Sequence, residues 1–303
     1  MDRFSRMLYP SPEEIDFALH DQRAVPQPSQ VVLTTPAHFD VRYVINPHMA
    51  GHVGGVNHPV AVQQWKALRA TYTALDVPVH VVDGQPGLPD MVFCANQTLP
   101  FYRPSTDTRG IVLSRMHAEE RQQEVPHYAD FFAENGYAVR SLPDDLDTDF
   151  EGMGDAIWHP GRYLLWGGYG FRSGMEAYCA VSDLLDVDVI PLALTDPDFY
   201  HLDTCFSVLD EHSVLIYPDA FDDIGRGLIH RLFTTVVEAP ENESRHQFAC
   251  NAHCPDGHHV LIQEGCTETN ARLSAAGFAP VPLDTSEFIK AGGSVFCMKQ
   301  MVW

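Results

Sequence analysis

Apolar and polar positions along the chain repeat a short grammar. A β-rich run leads into a polar motif; a second apolar run follows, then a stretch with one polar and one apolar helical face, then a closing strand. The polar motifs are PDMVFCANQT (89–98), FEGMGDAIW (150–158), YHLDTCFSV (200–208), QFACNAHC (247–254) and GGSVFCMKQ (292–300). Their spacing is nearly constant: 55 residues from Asn96 to Glu151, then 50 to His201, 49 to Cys250 and 47 to Cys297. Four of them are followed by second strands: GIVLSR (110–115), YLLWGG (163–168), SVLIYP (213–218) and HVLIQE (259–264). Helices are predicted over 120–136 and 267–277, with closing strands at YAVRSL (137–142), DVIPLAL (188–194) and FAPVPLD (278–284). On the N-terminal side, QVVLTTP (30–36) and FDVRYVINP (39–47) read as strands, 61–76 as a helix and VPVHVVDG (77–84) as a closing strand.

The period predicts an α/β fold of about five ββαβ units. Each unit is too small to bury its own faces, so the units must pack about a shared centre. No linker rich in Gly, Ser or Pro interrupts the chain, and residues 1–303 read as a single domain. If the polar motifs occupy equivalent strand ends around a pseudo-fivefold axis, they gather Asn96, Glu151, Asp155, His201, Asp203 and Cys297 in one place.

Charge narrows the partners. The 303 residues carry 19 basic and 41 acidic side chains, a net charge of −22, and only Lys66, Lys290 and Lys299 are lysines. Such a surface repels nucleic acid and anionic membrane. It suits both a chain adapted to high salt and an ordinary acidic cytosolic protein. The opening stretch MDRFSRMLYPSPEEIDF has no signal-type apolar run, and no segment reaches the roughly 18 apolar residues of a membrane span. The seven scattered cysteines are expected to be reduced thiols. Together these predict a soluble cytoplasmic protein, and they leave homo-oligomerisation open.

A cysteine, a histidine and several carboxylates are sufficient for nucleophilic catalysis: a thiolate attacks while an imidazole moves protons. Carboxylates aimed at a thiolate raise its pKa, which makes sense when the substrate brings a positive charge. A guanidinium fits, being planar, always cationic and able to pair bidentately with carboxylates. In HLD, His201 and Asp203 share one face if the segment is extended. The Gly-Gly before Cys297 reads as a hinge that lets the sulfur meet a substrate. A competing cluster is CNAHCPDGHH (250–259), but its soft ligands crowd together without the second half that a tetrahedral zinc site requires. No metal or organic cofactor is expected.

Taken together, INPHM, LPDMVFCAN, FEGMGD, FYHLDTCF, FACN and SEFIKAGGSVFC resemble the guanidino-group-modifying enzymes of the amidinotransferase (pentein) superfamily, most closely its arginine dihydrolases. The resemblance implies a five-bladed α/β-propeller that hydrolyses carbon–nitrogen bonds of arginine or a close analogue without a cofactor. By that resemblance Cys297 is the nucleophile that forms a covalent thiouronium and His201 the general acid/base. Glu151 and Asp203 grip the guanidinium, with Asp155 supporting the same turn. Asn46, Asn96 and Arg115 match pocket positions, Arg115 being suited to a substrate carboxylate, and Ala291 supplies a backbone carbonyl. Deiminases and dimethylarginine hydrolases of the superfamily carry a carboxylate where this chain has Asn96, which favours the dihydrolase-like group. Met153 stands where relatives have a smaller residue, and would either narrow the pocket or adjust the turn. A dimethylarginine dimethylaminohydrolase, an amidinotransferase and a non-catalytic binding protein of the same fold are the rival readings.

Overall fold

The computed structural model describes residues 8–303. The N-terminal reading given above rests in part on residues 1–7, which lie outside the described residues. The described residues form five small sheets, and four of them are three-stranded. Strands β1 (Gln30–Thr34) and β2 (Val79–Val82) belong to the first, and β3 (Thr98–Arg103), β4 (Thr108–Leu113) and β5 (Ala138–Arg140) form the second. The third contains β6 (Ala156–Trp158), β7 (Leu164–Tyr169) and β8 (Asp188–Ala193); the fourth, β9 (Phe206–Val208), β10 (Ser213–Ile216) and β11 (Thr235–Glu238). The fifth has β12 (His259–Gln263) and β13 (Ala279–Leu283).

One rule runs through all of them. The middle strand pairs antiparallel on one side and parallel on the other, as in Leu99↔Val112 and Ile111↔Val139 of the second sheet. Parallel neighbours need a crossover, and a helix supplies it each time. His58–Ala74 joins β1 to β2, Val125–Glu134 joins β4 to β5, and Met175–Leu185 joins β7 to β8. Asp223–Leu232 and Thr267–Ala275 serve the last two sheets. In the fifth sheet, an isolated antiparallel bridge between His253 and Leu261 stands in for the missing third strand. The first sheet takes its antiparallel strand from the far end of the sequence: β14 (Gln300–Val302) pairs with β1 in the register Gln30↔Val302.

Two expected elements differ. FDVRYVINP (39–47) forms no strand, because both edges of β1 are already occupied by β14 and β2. Its end instead becomes the cap of a short 3₁₀ turn, Pro47–Met49, with the Asn46 side chain accepting from the His48 and Met49 amides. The helix expected over 120–136 is divided into Glu119–Gln122 and Val125–Glu134. Pro126 lacks a backbone donor and is tolerated only in the first turn of the second piece.

The apolar faces of all five sheets and their helices meet in one dominant buried cluster that includes Leu33, Leu99, Trp166, Leu215 and Leu261. The polar residues of each motif lie just before or at the start of the antiparallel strand of its sheet, at the short turns Pro89–Val92, Gly152–Asp155 and Leu202–Thr204 and in the loops before His253 and β14. That common position brings them together. Among the described residues no helix is long and apolar enough to cross a membrane.

Candidate active site

The turn before β14 carries Cys297, whose side chain is 3% exposed. Its thiol donates to Asp203 Oδ2 at 3.1 Å, and Asn251 Nδ2 donates to Sγ at 3.1 Å. Asn251 also builds the turn. Its Oδ1 accepts from the amides of Ser294 (3.0 Å), Phe296 (3.1 Å) and Cys297 (3.3 Å), and its Nδ2 reaches the Asp203 carbonyl at 2.8 Å. One buried amide thereby fixes both the loop of Cys297 and the backbone of Asp203. Burial first, then the negative charge of Asp203, push the thiol well above its ordinary pKa.

Gly292 and Gly293 are not a hinge. Both are buried, and Gly292 has φ +86°. A Cβ there would sit 2.7 Å from Asn46 Oδ1 and 2.8 Å from the Tyr200 hydroxyl; at Gly293 it would meet the Phe93 ring at 2.5 Å. The pair exists because two loops pass too closely for side chains, and because position 292 lies in the left-handed region.

His201 lies next to this thiol–carboxylate pair in sequence and space. Its Nε2 contacts Glu151 Oε2 at 2.6 Å, and Nδ1 is 3.5 Å from Asn96 Nδ2. Asn96 is oriented from behind, its Oδ1 accepting from Arg121 at 3.0 Å. Arg121 is itself clamped by Glu124 (2.9 Å) and by the carbonyls of Asp90 and Phe93. Burial opposes charging of His201, but Asp155, Glu151 and Asp203 outweigh it and the imidazole pKa is raised. Burial likewise works against the Glu151 anion, yet the His201 hydrogen bond and charge, with Arg172, bring that carboxyl down to about 2. Both shifts favour the charged forms of this 2.6 Å pair. Glu151 has little left for a ligand: its other oxygen accepts from the His117 amide at 2.9 Å and lies 3.6 Å from Arg172.

The remaining expected residues divide. Asn46 and Ala291 join the two loops over the pocket, Asn46 Nδ2 donating to the Ala291 carbonyl at 3.0 Å. Asp155 is buried but committed to structure: it accepts from Ser173 N and Oγ and from the Leu202 amide. Its place in FEGMGD is architectural, as is Gly154, where a Cβ would collide with the Asn96 amide. Arg115, expected at a substrate carboxylate, is instead bound to the carbonyls of Leu142, Pro143 and Leu146, away from the pocket. Met153 does not narrow this pocket; it faces a different cavity. The crowded Cys/His motif is dispersed: Cys250 is core, His253 Nδ1 bonds Tyr72 Oη at 2.8 Å, and His259 pairs with Asp256 at 2.6 Å. Among the described residues no group of three or more such side chains could hold a metal ion.

A small pocket enclosing about 320 Å³ of empty space opens onto Cys297, His201 and Asn96. Three of its lining residues escaped the sequence reading. Asp90 is 1% exposed, and among the described residues neither of its carboxylate oxygens has a well-formed hydrogen bond, the Tyr43 hydroxyl lying close enough only to favour its anion. Burial pushes it up to about 7, against the pull of Arg121. Arg172 reaches the Ile45 carbonyl at 2.5 Å and lies over the Tyr200 ring at 5.2 Å. Arg121 is the third. Asp203 also keeps one oxygen, Oδ1, without a partner, and burial lifts its carboxyl to about 6 against the pull of His201. The signal for Asp90 was available in the sequence: a charged residue inside the apolar run LPDMVF needs a reason to be there.

Comparison with known proteins gives this arrangement a context. The family model described as N,N dimethylarginine dimethylhydrolase, eukaryotic, matches residues 50–302. The bifunctional arginine dihydrolase/ornithine cyclodeaminase ArgZ of Synechocystis sp. is 38% identical over 271 residues, covering 89% of this chain and 37% of that protein. The chain therefore spans little more than a third of the length of that relative. An N(G),N(G)-dimethylarginine dimethylaminohydrolase of Mycobacterium tuberculosis is 36% identical, covering 91% of this chain and 86% of its own length. The crystal structure of the N-terminal domain of a substrate-bound cysteine-to-serine variant of ArgZ superposes with a TM-score of 0.83 at 36% identity, covering 90% of this chain and 97% of that one. With a family model matched almost throughout and relatives more than one-third identical over nine-tenths of its length, the chain belongs to the dimethylarginine dimethylaminohydrolase family of the guanidino-group-modifying (pentein) superfamily.

Proposed function

We propose that this protein hydrolyses the guanidino group of arginine, as an arginine dihydrolase does, from a single domain whose five sheets close into a five-bladed α/β-propeller. The observation that carries the reading is the contact of Cys297 with Asp203 and Asn251 beside the His201–Glu151 pair. The β14–β1 pairing supports ring closure, because it links the two ends of the sheet series.

At rest the sulfur is a thiol whose proton faces Asp203. A guanidinium entering the pocket neutralises Asp203 and Asp90, the two carboxyls with partner-free oxygens. Its charge lowers the cost of the thiolate, and the sulfur attacks the guanidinium carbon while Asp203 takes the thiol proton. His201, already charged, gives a proton to one nitrogen, which leaves as ammonia and leaves a thiouronium on Cys297. The now neutral imidazole takes a proton from water, the hydroxide adds to the carbon, and the C–S bond breaks to give citrulline. In a second round the sulfur attacks the same carbon and a second ammonia leaves. Water then releases a carbamate on the side-chain nitrogen, which loses carbon dioxide to give ornithine. Arg172, charged and near the pocket mouth by Ile45 and Tyr200, pairs with the α-carboxylate in this reading, the role first expected of Arg115.

The experiment is product analysis by mass spectrometry after incubation with arginine and, separately, dimethylarginine. Ornithine with two equivalents of ammonia supports the proposal. Citrulline as the end product makes the enzyme a one-step deiminase. Dimethylamine released in preference to any arginine product establishes the second reading, which the family model and the mycobacterial relative favour. No product without an added amine acceptor would mean a transferase.

A further inference from the structure

Residues flanking Cys297, Phe296 and Lys299 among them, line a second, partly open cavity, larger than the catalytic pocket, with about 670 Å³ of space between its walls including open solvent. Its walls are mostly apolar and come from five distant segments, including Val25, Ile157, Trp158, Val208 and Trp303. Lys299, two residues after Cys297, lines it. This lysine is 1% exposed, yet among the described residues no carboxylate or carbonyl bonds its Nζ, which sits 3.2 Å from the centroid of the Phe296 ring. An ammonium buried without a hydrogen-bonded counter-charge is costly. A ring face recovers only part of that cost.

The other titratable groups lining the cavity are neutral. His159 is fully engaged between the Glu211 carbonyl and the Trp166 indole, and burial brings it down to about 4. His253 is held well below its ordinary value by burial, then by Lys299 itself, and its Nδ1 is bonded to Tyr72 Oη. Burial pushes the Cys254 thiol up to about 12. Burial brings Lys299 itself down to about 7, so the cavity presents an amine that a bound anion would hold in its charged form, one further imidazole nitrogen (His253 Nε2) and mostly apolar walls. A phosphate would find too few donors there for its oxygens, and a neutral apolar molecule would leave Lys299 unpaired.

We propose that this cavity is a binding site for a small monocarboxylic acid with a compact apolar body, its carboxylate paired with Lys299 and its body packed against the wall that Trp158 and Trp303 form in edge-to-face contact. A carboxylate paired with Lys299 would offset the charge that this lysine shares with Asp203 and Cys297, so that occupancy is felt at the nucleophile.

Both tryptophans serve as reporters. Hexanoate titrated into the whole protein is expected to change tryptophan emission saturably, with at least about tenfold tighter binding than hexanamide, which has a near-identical body and no charge. Lys299→Met is expected to abolish that preference, whereas Arg172→Met, in the catalytic pocket, leaves it intact. Equal binding of acid and amide, or no saturable binding of hexanoate, overturns the proposal using the unaltered protein alone, whether or not the Lys299 variant folds. Loss of hexanoate binding in Arg172→Met overturns it too, by placing the acid in the catalytic pocket.

Discussion

Replacing Asp203 by asparagine pushes two measurable properties of Cys297 in opposite directions. Asp203 Oδ2 lies 3.1 Å from the sulfur, and after burial its charge is the largest cause of the raised thiol pKa. A full charge at that distance and an effective dielectric of about 20 is worth about 5 kcal/mol. The hydrogen bond and relaxation absorb much of this, and a fall of at least about one pKa unit is a conservative expectation. In Asp203→Asn the thiolate fraction near neutral pH then rises about tenfold, and alkylation by the uncharged reagent iodoacetamide should accelerate by a similar factor. Turnover should respond in the opposite sense. The substrate guanidinium loses a charge-assisted contact of about 1.5–3 kcal/mol, so kcat/KM for arginine should fall about 10- to 100-fold or more. The assay pairs alkylation kinetics, followed by intact mass, with steady-state ammonia release on the same preparation. If alkylation and turnover fall together, Asp203 is merely holding the loop in shape. Undiminished turnover would mean that the guanidinium is gripped elsewhere.

Further outcomes follow from the same geometry. Glu151 titrates at about 2 in the fold against about 4.5 for a free glutamate, so it contributes stability that is present above the free value and lost as pH falls toward 2. Glu151→Gln should therefore be less stable than the parent by about 3 kcal/mol near neutrality, with the gap closing below about pH 4 in urea titrations; a gap independent of pH contradicts the ion pair. Arg172→Met should raise KM for arginine about tenfold or more while scarcely affecting agmatine, which has no carboxylate, and equal losses on both would remove Arg172 from substrate recognition. Gly292→Ala should cost about 1–2 kcal/mol for the left-handed backbone, plus the collision with Asn46 and Tyr200, measured as a lower denaturation midpoint. A neutral result there would restore the hinge reading.

Much of the architecture was legible because its signal is periodic. Four recurrences of an extended run, polar motif and helix at intervals near fifty residues implied repeated units, and strand ends at equivalent places brought Asn96, Glu151, His201, Asp203 and Cys297 together. Harder to see were residues whose role depends on pairing across units. Arg121 looks like an ordinary charge at the start of an amphipathic helix, yet the break before Pro126 turns it inward to Asn96 and Glu124. Asn251 sat inside a motif read as possible metal ligands, and its function rests on three amides more than forty residues away. Arg115 misled for the converse reason: a lone arginine after a strand gives no hint that the 142–146 loop will supply its acceptors. The expected strand at 39–47 had suitable alternation, but sheet edges are a resource shared by the whole fold, and β1 had none left.

The pairing of β14 with β1 also couples assembly to reactivity. The sulfur and the strand that zips the first sheet occupy one stretch of six residues, 297–302, with no slack between them. Whatever peels that short strand from its neighbour drags the sulfur off its acid and amide contacts. On the proposed reading the protein cannot become locally loose there and stay competent, and loss of turnover under mild denaturant should track the unzipping of this one seam before the other described sheets give way.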